Sequence, residues 1–183
     1  MKVLLCTVVL LFASCSLFSA ATKELPHPYP GRSPWVQAGG TIICRSADML
    51  RDRHGVRLIG SGGNMMRDIS ILSFTFEVRG PLSVNEARQL ALSCLDEIIE
   101  QINSDEAARP YLKKHPSDDE NVELFLVIRG EDGHSLVDPD ISMVSVYNGE
   151  IRYDAIDAAD EFLCLNKDKE TLAEARAQLA PST

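Results

Sequence analysis

The chain has 183 residues, of which 45% are hydrophobic and 25% charged, and this ordinary globular composition argues against a chain that is disordered throughout. Without a leader of about 21 residues, roughly 160 residues remain, the usual size of one domain. Lys2 is the leader's only charged residue, so the remainder holds 17 basic and 27 acidic residues, a formal net charge of −10. This charge repels phosphate backbones and no basic cluster offsets it, so we predict no binding to nucleic acid.

The first 21 residues have the layout of a secretory signal peptide. Lys2 gives a positive start, and residues 3–13 form an apolar run broken only by Cys6 and Thr7. This run is shorter than the roughly 20 apolar residues of a membrane-spanning helix, so a permanent anchor is the weaker interpretation. We therefore predict that residues 1–21 direct export to the bacterial periplasm, the outer envelope or the medium.

Two processing sites compete within this leader. Residues 19–21, Ser-Ala-Ala, offer the small side chains that signal peptidase accepts, which would make Thr22 the mature start. Residues 12–15, Phe-Ala-Ser-Cys, resemble a lipobox, although Phe12 replaces the usual leucine. Acylation of Cys15 would attach the protein to a membrane, since each buried methylene contributes about 0.8 kcal/mol. The sequence leaves both routes open.

Four prolines within a short stretch indicate an extended linker over residues 22–36, followed by a single domain at 37–183. Within that domain, residues 41–44 follow two glycines and are typical of a short strand after a turn. A second short strand is predicted at 56–59, and the glycines of 60–64 predict a loop after it. The four linker prolines are Pro26, Pro28, Pro30 and Pro34.

The central part of the chain has the clearest periodicity. Alternating apolar and polar residues over 69–79 predict a half-buried strand. Ser83 and Glu86 then have the spacing of a capping box, and apolar residues at three- and four-residue steps continue a helix to Ile102. The apolar run 122–129 predicts a central strand that is buried on both faces.

A hairpin signal follows at Asn148-Gly149, because a type I′ turn needs two residues that tolerate positive φ. The flanking runs are residues 141–147 and 150–156. This turn sets the register, with Val146 opposite Ile151 and Val144 opposite Tyr153 on the same face.

Residues 169–179 predict a short amphipathic helix at the end of the chain. Strands and helices are thus segregated along the sequence, which favours an α+β fold. We predict an antiparallel sheet of about four to five strands with two helices packed on one face, after the signal peptide.

Three groups of residues suggest chemistry, and each has a simpler explanation. The glycines of 60–63 could hold an anion, but they lack the lysine of a P-loop and the spacing of a dinucleotide motif, so a plain loop is favoured. The carboxylates between 131 and 140 could bind calcium, but glycine and aspartate also suit a strand connection. His134 alone is too little for zinc, and we predict no metal and no cofactor.

A histidine-based hydrolase would need one of His54, His115 and His134 beside a serine, and no nucleophile-elbow motif supports it.

If Cys6 and Cys15 belong to the leader, three cysteines remain, an odd number for an oxidising compartment. Cys94 lies on the apolar stripe of the main helix, where a small buried side chain is expected. Cys44 and Cys164 are then the candidate disulfide.

Several short motifs together resemble small exported proteins of unassigned function from chlamydia-type and other host-associated bacteria. The motifs are Gly-Pro-Leu-Ser at 80–83 leading into 86–88, Arg-Pro-Tyr-Leu at 109–112, Asn-Val-Glu-Leu at 121–124 and the Asn148-Gly149 turn. The resemblance covers about residues 70–179 and implies export and an α+β domain, but no activity or site residue.

We therefore predict a non-enzymatic exported protein, a binding or structural domain with a protein partner and with membrane attachment if Cys15 is acylated. The alternatives are an exported hydrolase that uses a histidine, and a module that binds proteins by adding a strand to a sheet edge. The sequence identifies no catalytic residue, partner, substrate or oligomeric state.

Overall fold

A computed structural model describes residues 31–179, which form a mixed α+β fold of three helices and a six-stranded sheet. The predicted signal peptide, Cys15 and linker residues 22–30 lie outside the described residues. The helices are α1 (Pro34–His54), α2 (Val84–Ser104) and α3 (Leu172–Leu179), and the strands are β1 (Arg57–Asn64), β2 (Ile71–Arg79), β3 (Val122–Arg129), β4 (Met143–Tyr147), β5 (Glu150–Ile156) and β6 (Cys164–Thr171).

The six strands follow one another across the sheet in chain order, and all neighbours are antiparallel except β2 and β3. The prediction of a wholly antiparallel sheet is therefore wrong at this pair. Helix α2 connects β2 to β3 and returns the chain to the end where β2 begins, so the two strands run parallel. The predicted four to five strands and two helices are close to the observed six and three.

Helix α1 replaces the predicted strand at 41–44, and its first turn includes residues 34–36 of the predicted linker. Pro34 suits the first helical position, because the amide it lacks has no partner there in any helix. Gly39, the first glycine of the pair that suggested a turn, allows close packing instead. A Cβ on Gly39 would lie 2.5 Å from the Met65 sulfur, so the glycine lets the loop after β1 approach the helix.

Strand β1 includes residues 60–64, which were wrongly predicted to be a loop. Among residues 31–179 this strand is at the edge of the sheet and pairs with β2 alone, so its glycines need to support a ladder of hydrogen bonds on one side. Gly63 has φ of +142°, and a Cβ there would lie 2.1 Å from the Ile71 carbonyl oxygen. This position therefore requires glycine.

Replacing Gly63 by alanine should lower the free energy of unfolding by at least about 2 kcal/mol, because both the backbone angle and the space exclude a side chain. Gly62 is the matched control, since a Cβ there would meet no atom within 4 Å. Gly62→Ala should be close to neutral in the same urea denaturation. Equal losses from the two substitutions would contradict the register of β1 on β2.

The predicted hairpin is confirmed, with Val146 paired to Ile151 and Val144 to Tyr153. Asn148 and Gly149 adopt φ of 52° and 76°, as the turn requires. The helix predicted from residue 169 begins three residues later, because residues 169–171 end β6.

The three helices cover one face of the sheet and form with it a single core cluster. The prediction that β3 is buried on both faces is wrong for the second face. Leu124 and Leu126 on the covered face are fully buried, whereas Phe125 and Val127 on the opposite face are only half-buried. Within residues 31–179, no helix packs against that opposite face, which is called the uncovered face below.

Candidate binding face of the sheet

An apolar strip occupies the middle of the uncovered face. It consists of Phe125 and Val127 on β3 and Met143 and Tyr147 on β4, all half-buried. The rings of Phe125 and Tyr147 stack with centroids 6.5 Å apart. A sheet face exposed to water normally alternates to polar side chains, so this strip breaks the usual pattern.

Beside the strip, three arginines surround one carboxylate, and we call Arg57, Arg79, Arg129 and Glu77 the arginine cluster. The Glu77 oxygens lie 3.0 Å from an Arg57 nitrogen, 2.8 Å from an Arg79 nitrogen and 3.3 Å from an Arg129 nitrogen. The Glu77 side chain is 7% exposed, whereas those of Arg57 and Arg79 are 64% and 46% exposed. The guanidinium groups therefore face solvent around a nearly buried anion.

The pairing of three strands assembles the cluster. Arg57 on β1 is the register partner of Glu77 on β2, and Arg79 on β2 is the partner of Arg129 on β3. Residues two apart on a strand share a face, so Glu77 and Arg79 point to the same side. Two arginines opposite each other would repel, and the Glu77 carboxylate between them offsets this repulsion.

The cluster carries more positive than negative charge. The Arg57 guanidinium, hydrogen-bonded to Glu77, holds the pKa of that carboxyl below its ordinary value, with further attraction from Arg79 and with desolvation opposing the shift. Glu77 is therefore ionised at neutral pH, and the three cations exceed its charge by two. This is a local positive site on a chain with a formal net charge of −9.

The lowered pKa predicts how stability depends on pH. A carboxyl whose pKa is lower in the folded state stabilises the fold above its ordinary pKa of 4.5, and this contribution disappears as the pH falls through the folded value. Glu77→Gln should therefore melt at a lower temperature than the wild type from pH 5 to 8. The two melting temperatures should converge below pH 4. A difference that stays constant down to pH 3 would contradict the prediction.

A fourth arginine, Arg152 on β5, lies on this face. Its Nη1 donates to the Tyr147 hydroxyl at 2.9 Å, while its Nε is buried and has no hydrogen-bond partner among the described residues. The hydrogen bond to Tyr147 is the main reason that the pKa of Arg152 is raised. The aromatic end of the apolar strip thus lies against a fixed cation.

A shallow groove of about 500 Å³ runs over the β1 end of the uncovered face. Gly60 and Gly62 place no side chain on it, and Ser73, Thr75 and Glu123 line it from β2 and β3. The predicted glycine loop is thus the wall of a groove rather than a turn. The groove extends to Thr75, and the next residue of β2 on the same face is Glu77, which pairs with Arg57.

Within the described part of the chain, the sheet ends at β1 and β6, each of which has a neighbouring strand on one side only. Such an edge is what strand addition requires. Lys167 and Lys169 lie on β6, and lysine on an edge discourages pairing with another strand. Apart from Arg57, β1 carries no charged residue, so it is the edge that discourages an added strand less.

The structure does not bring the histidines into a catalytic arrangement. His54 Nε2 lies 2.9 Å from a Glu97 oxygen on the helical side of the fold, and the side chains of His115 and His134 are exposed. Among residues 31–179, none of these three side chains hydrogen-bonds to a serine or cysteine.

The carboxylates of the loop between β3 and β4 stabilise a turn within the loop and form an ion pair. Asp132 accepts the amide of His134 at 3.0 Å, and Asp138 pairs with Lys167. In the described part of the chain, no group of three or more histidine, cysteine, aspartate or glutamate side chains is placed to hold a metal ion.

The two cysteines predicted to form a disulfide are not joined in the structure. Cys44 lies on α1 and Cys164 starts β6, and neither is bonded to another cysteine of residues 31–179. Cys94 is buried in the core, and desolvation raises its pKa to about 12. This thiol is therefore no nucleophile at neutral pH.

The three thiols should differ strongly in reactivity. A maleimide at pH 7.5 should label exposed Cys164 first and half-buried Cys44 more slowly, because burial raises the Cys44 pKa. Cys94 should react only after unfolding. Peptide mapping of protein purified without reductant measures the order, and a peptide containing Cys44 joined to Cys164 would contradict it.

Comparison with known proteins gives no match, whether to a family model, a curated protein or a solved structure. Across residues 31–179, no helix combines the length and the apolar character that crossing a membrane demands. Neither the uncovered face nor the arginine cluster was predicted from the sequence, although Glu77 and Arg79 at alternate positions of β2 indicate that this face carries charge.

Proposed function

We propose that this protein is an exported, non-enzymatic binding domain that holds a protein partner against the uncovered face of its sheet. The observation that carries the proposal is the half-buried apolar strip next to the arginine cluster, on a sheet face that no helix of residues 31–179 covers. Export rests on the layout of residues 1–21 and on the resemblance described above.

The composition of the face supports a protein partner. Aromatic residues, methionine and arginine are enriched in protein interfaces, and lysine and glutamate are depleted there. Phe125, Tyr147 and Met143 are of this kind, and Arg152 and the arginine cluster flank them. A partner would remove the strip from water and supply acceptors for the free guanidinium donors.

The geometry supports binding better than hydrolysis. A serine or cysteine hydrolase needs a nucleophile within hydrogen-bond reach of a base. His54 contacts a glutamate instead, and the pKa of Cys94 is raised rather than lowered.

Site-specific photo-crosslinking in the native host tests the binding surface. A photoreactive amino acid at Thr75, on the uncovered face, should give a discrete crosslinked product. The matched control is the same amino acid at Gln89, an exposed position of α2 on the helical side. Crosslinking to the same partner from both positions, or from neither, would count against the uncovered face.

Intact mass of the protein from its native host tests export. We expect loss of the leader up to Ala21, or a chain that begins at an acylated Cys15. An unprocessed mass, with Met1 still present and Cys15 unmodified, would contradict both processing routes.

A further inference from the structure

We propose that the arginine cluster binds carboxylate side chains of the partner, carried on an extended segment that lies along the groove beside β1. This inference rests on the proposed function, because it names the chemistry by which the same face recognises its partner.

The cluster has the donors for such a ligand. Each guanidinium has five N–H groups in a planar fork that matches a carboxylate. Glu77 lies at the centre of the three, and its two carboxylate oxygens are shared among three guanidinium groups, so most of the N–H donors make no contact with Glu77. An incoming carboxylate would meet two arginines from the solvent side and form paired, charge-assisted hydrogen bonds.

The donors are held in place before a ligand arrives. Glu77 contacts all three arginines, and Nη1 of Arg129 also donates to the Ser135 hydroxyl at 3.2 Å. Preorganised side chains lose less conformational entropy on binding, which favours this cluster over arginines free in solvent.

Among the described residues, the three arginines pair with no acid except Glu77. Two further acids, Glu131 and Asp132, lie in the loop after β3. Glu131 lies beside Gly80, and Asp132 is engaged by the His134 amide. The excess of positive charge is thus not cancelled by ion pairs within the fold.

The groove defines the shape of the ligand. It passes over Gly60 and Gly62 and ends beside Thr75, the register partner of Gly60. Glu77, at the centre of the arginine cluster, lies two residues further along β2, which is about 7 Å at 3.3 Å per residue. An extended chain therefore fits, with small neutral residues over the glycines and its acids at the cluster. Glu123 lines the groove and makes no ion pair within the described residues, so it would repel a ligand that is anionic along its whole length.

The test uses three probes with the ¹⁵N-labelled protein. They are an acetylated and amidated peptide Ser-Gly-Ser-Asp-Asp, the same peptide with asparagine in place of both aspartates, and inorganic phosphate. NMR titration follows the arginine Nε–Hε signals and the backbone amides of β1 and β2. The aspartate peptide should shift the signals of Arg57, Arg79 and Arg129 and the amides of Gly60 and Gly62, and the asparagine peptide should bind at least tenfold more weakly.

The variant Arg57→Gln/Arg129→Gln should weaken binding of the aspartate peptide at least tenfold. Arg176→Gln is the matched control, since Arg176 is similarly exposed and forms a single ion pair with Asp96 on the helical side. If the double variant does not fold, Arg57→Gln alone gives the same comparison, because Arg57 is the most exposed of the three.

Equal binding of both peptides, tighter binding of phosphate than of the aspartate peptide, or no shift at millimolar peptide would each overturn the inference. These failures can be separated from failure of the proposed function. Crosslinking at Thr75 without peptide binding leaves the partner face standing and removes only the carboxylate site. Peptide binding without a crosslink leaves the site and removes the proposed protein partner.

Discussion

Replacing Arg88 by methionine should lower the free energy of unfolding by about 3–5 kcal/mol, the usual cost of removing one partner from a buried ion pair. Arg88 on α2 donates to a Glu170 oxygen at 2.7 Å, and the two side chains are only 5% and 8% exposed. The Tyr153 hydroxyl donates to the same Glu170 oxygen at 2.6 Å. Without Arg88, the Glu170 carboxylate would stay buried with neutral donors alone.

The cost should be large because this network joins elements far apart in sequence. Arg88 belongs to α2, Tyr153 to β5 and Glu170 to β6, and Gln178 of α3 donates to the other Glu170 oxygen at 2.7 Å. Burial is the main reason that the pKa of Tyr153 is raised, so the phenol stays protonated and remains a donor. The loss of one cation therefore affects four elements together.

Denaturation in urea measures this loss, with Arg176→Met as the control. Arg176 and Asp96 are 46% and 51% exposed, and removal of an exposed pair should cost no more than about 1 kcal/mol. Adding Glu170→Gln to Arg88→Met should recover part of the stability, because no unpaired charge is then buried. A loss below 1 kcal/mol from Arg88→Met would show that the pair does not hold these elements together.

Local signals in the sequence predicted the elements that local interactions determine. The Ser83 hydroxyl and the Glu86 side chain form the expected capping box, and Asn148 and Gly149 form the expected turn. The register of the hairpin followed from that turn, because a two-residue connection leaves little choice of pairing. These features need no knowledge of the rest of the chain.

Elements that depend on tertiary packing were missed. The glycine pair in α1 looks like a turn until Met65 is known to pack on Gly39. Strand β6 is polar and exposed along most of its length, so it shows no alternation, and only its pairing with β5 makes it a strand.

The arginine cluster could not be predicted from spacing. Arg57, Glu77 and Arg129 lie on three strands that are distant in sequence, and the parallel pairing of β2 with β3 brings the third arginine to the carboxylate. A wholly antiparallel sheet, as the sequence favoured, would have placed different residues opposite β2. The error in topology and the missed cluster therefore have one cause, the crossover through α2.

Two phenylalanines on opposite faces of the sheet should respond very differently to truncation. Phe74 is fully buried under the helices and stacks on Phe76 with ring centroids 6.1 Å apart. Phe74→Ala should therefore cost about 3–5 kcal/mol of unfolding free energy, as expected for a core cavity. Phe125 on the uncovered face is only half-buried, and Phe125→Ala should cost about 1 kcal/mol, since less apolar area is returned to water.

The comparison also separates stability from binding. If the uncovered face holds a partner, Phe125→Ala should abolish crosslinking from Thr75 while the protein still unfolds cooperatively near the wild-type midpoint. Phe74→Ala should reduce the yield of crosslinked product only in proportion to the fraction of protein that is unfolded, because the Phe74 side chain lies on the opposite face. Equal destabilisation by the two substitutions would mean that both faces of the sheet are packed. The apolar strip would then be part of the core, and a partner would no longer be needed to account for it.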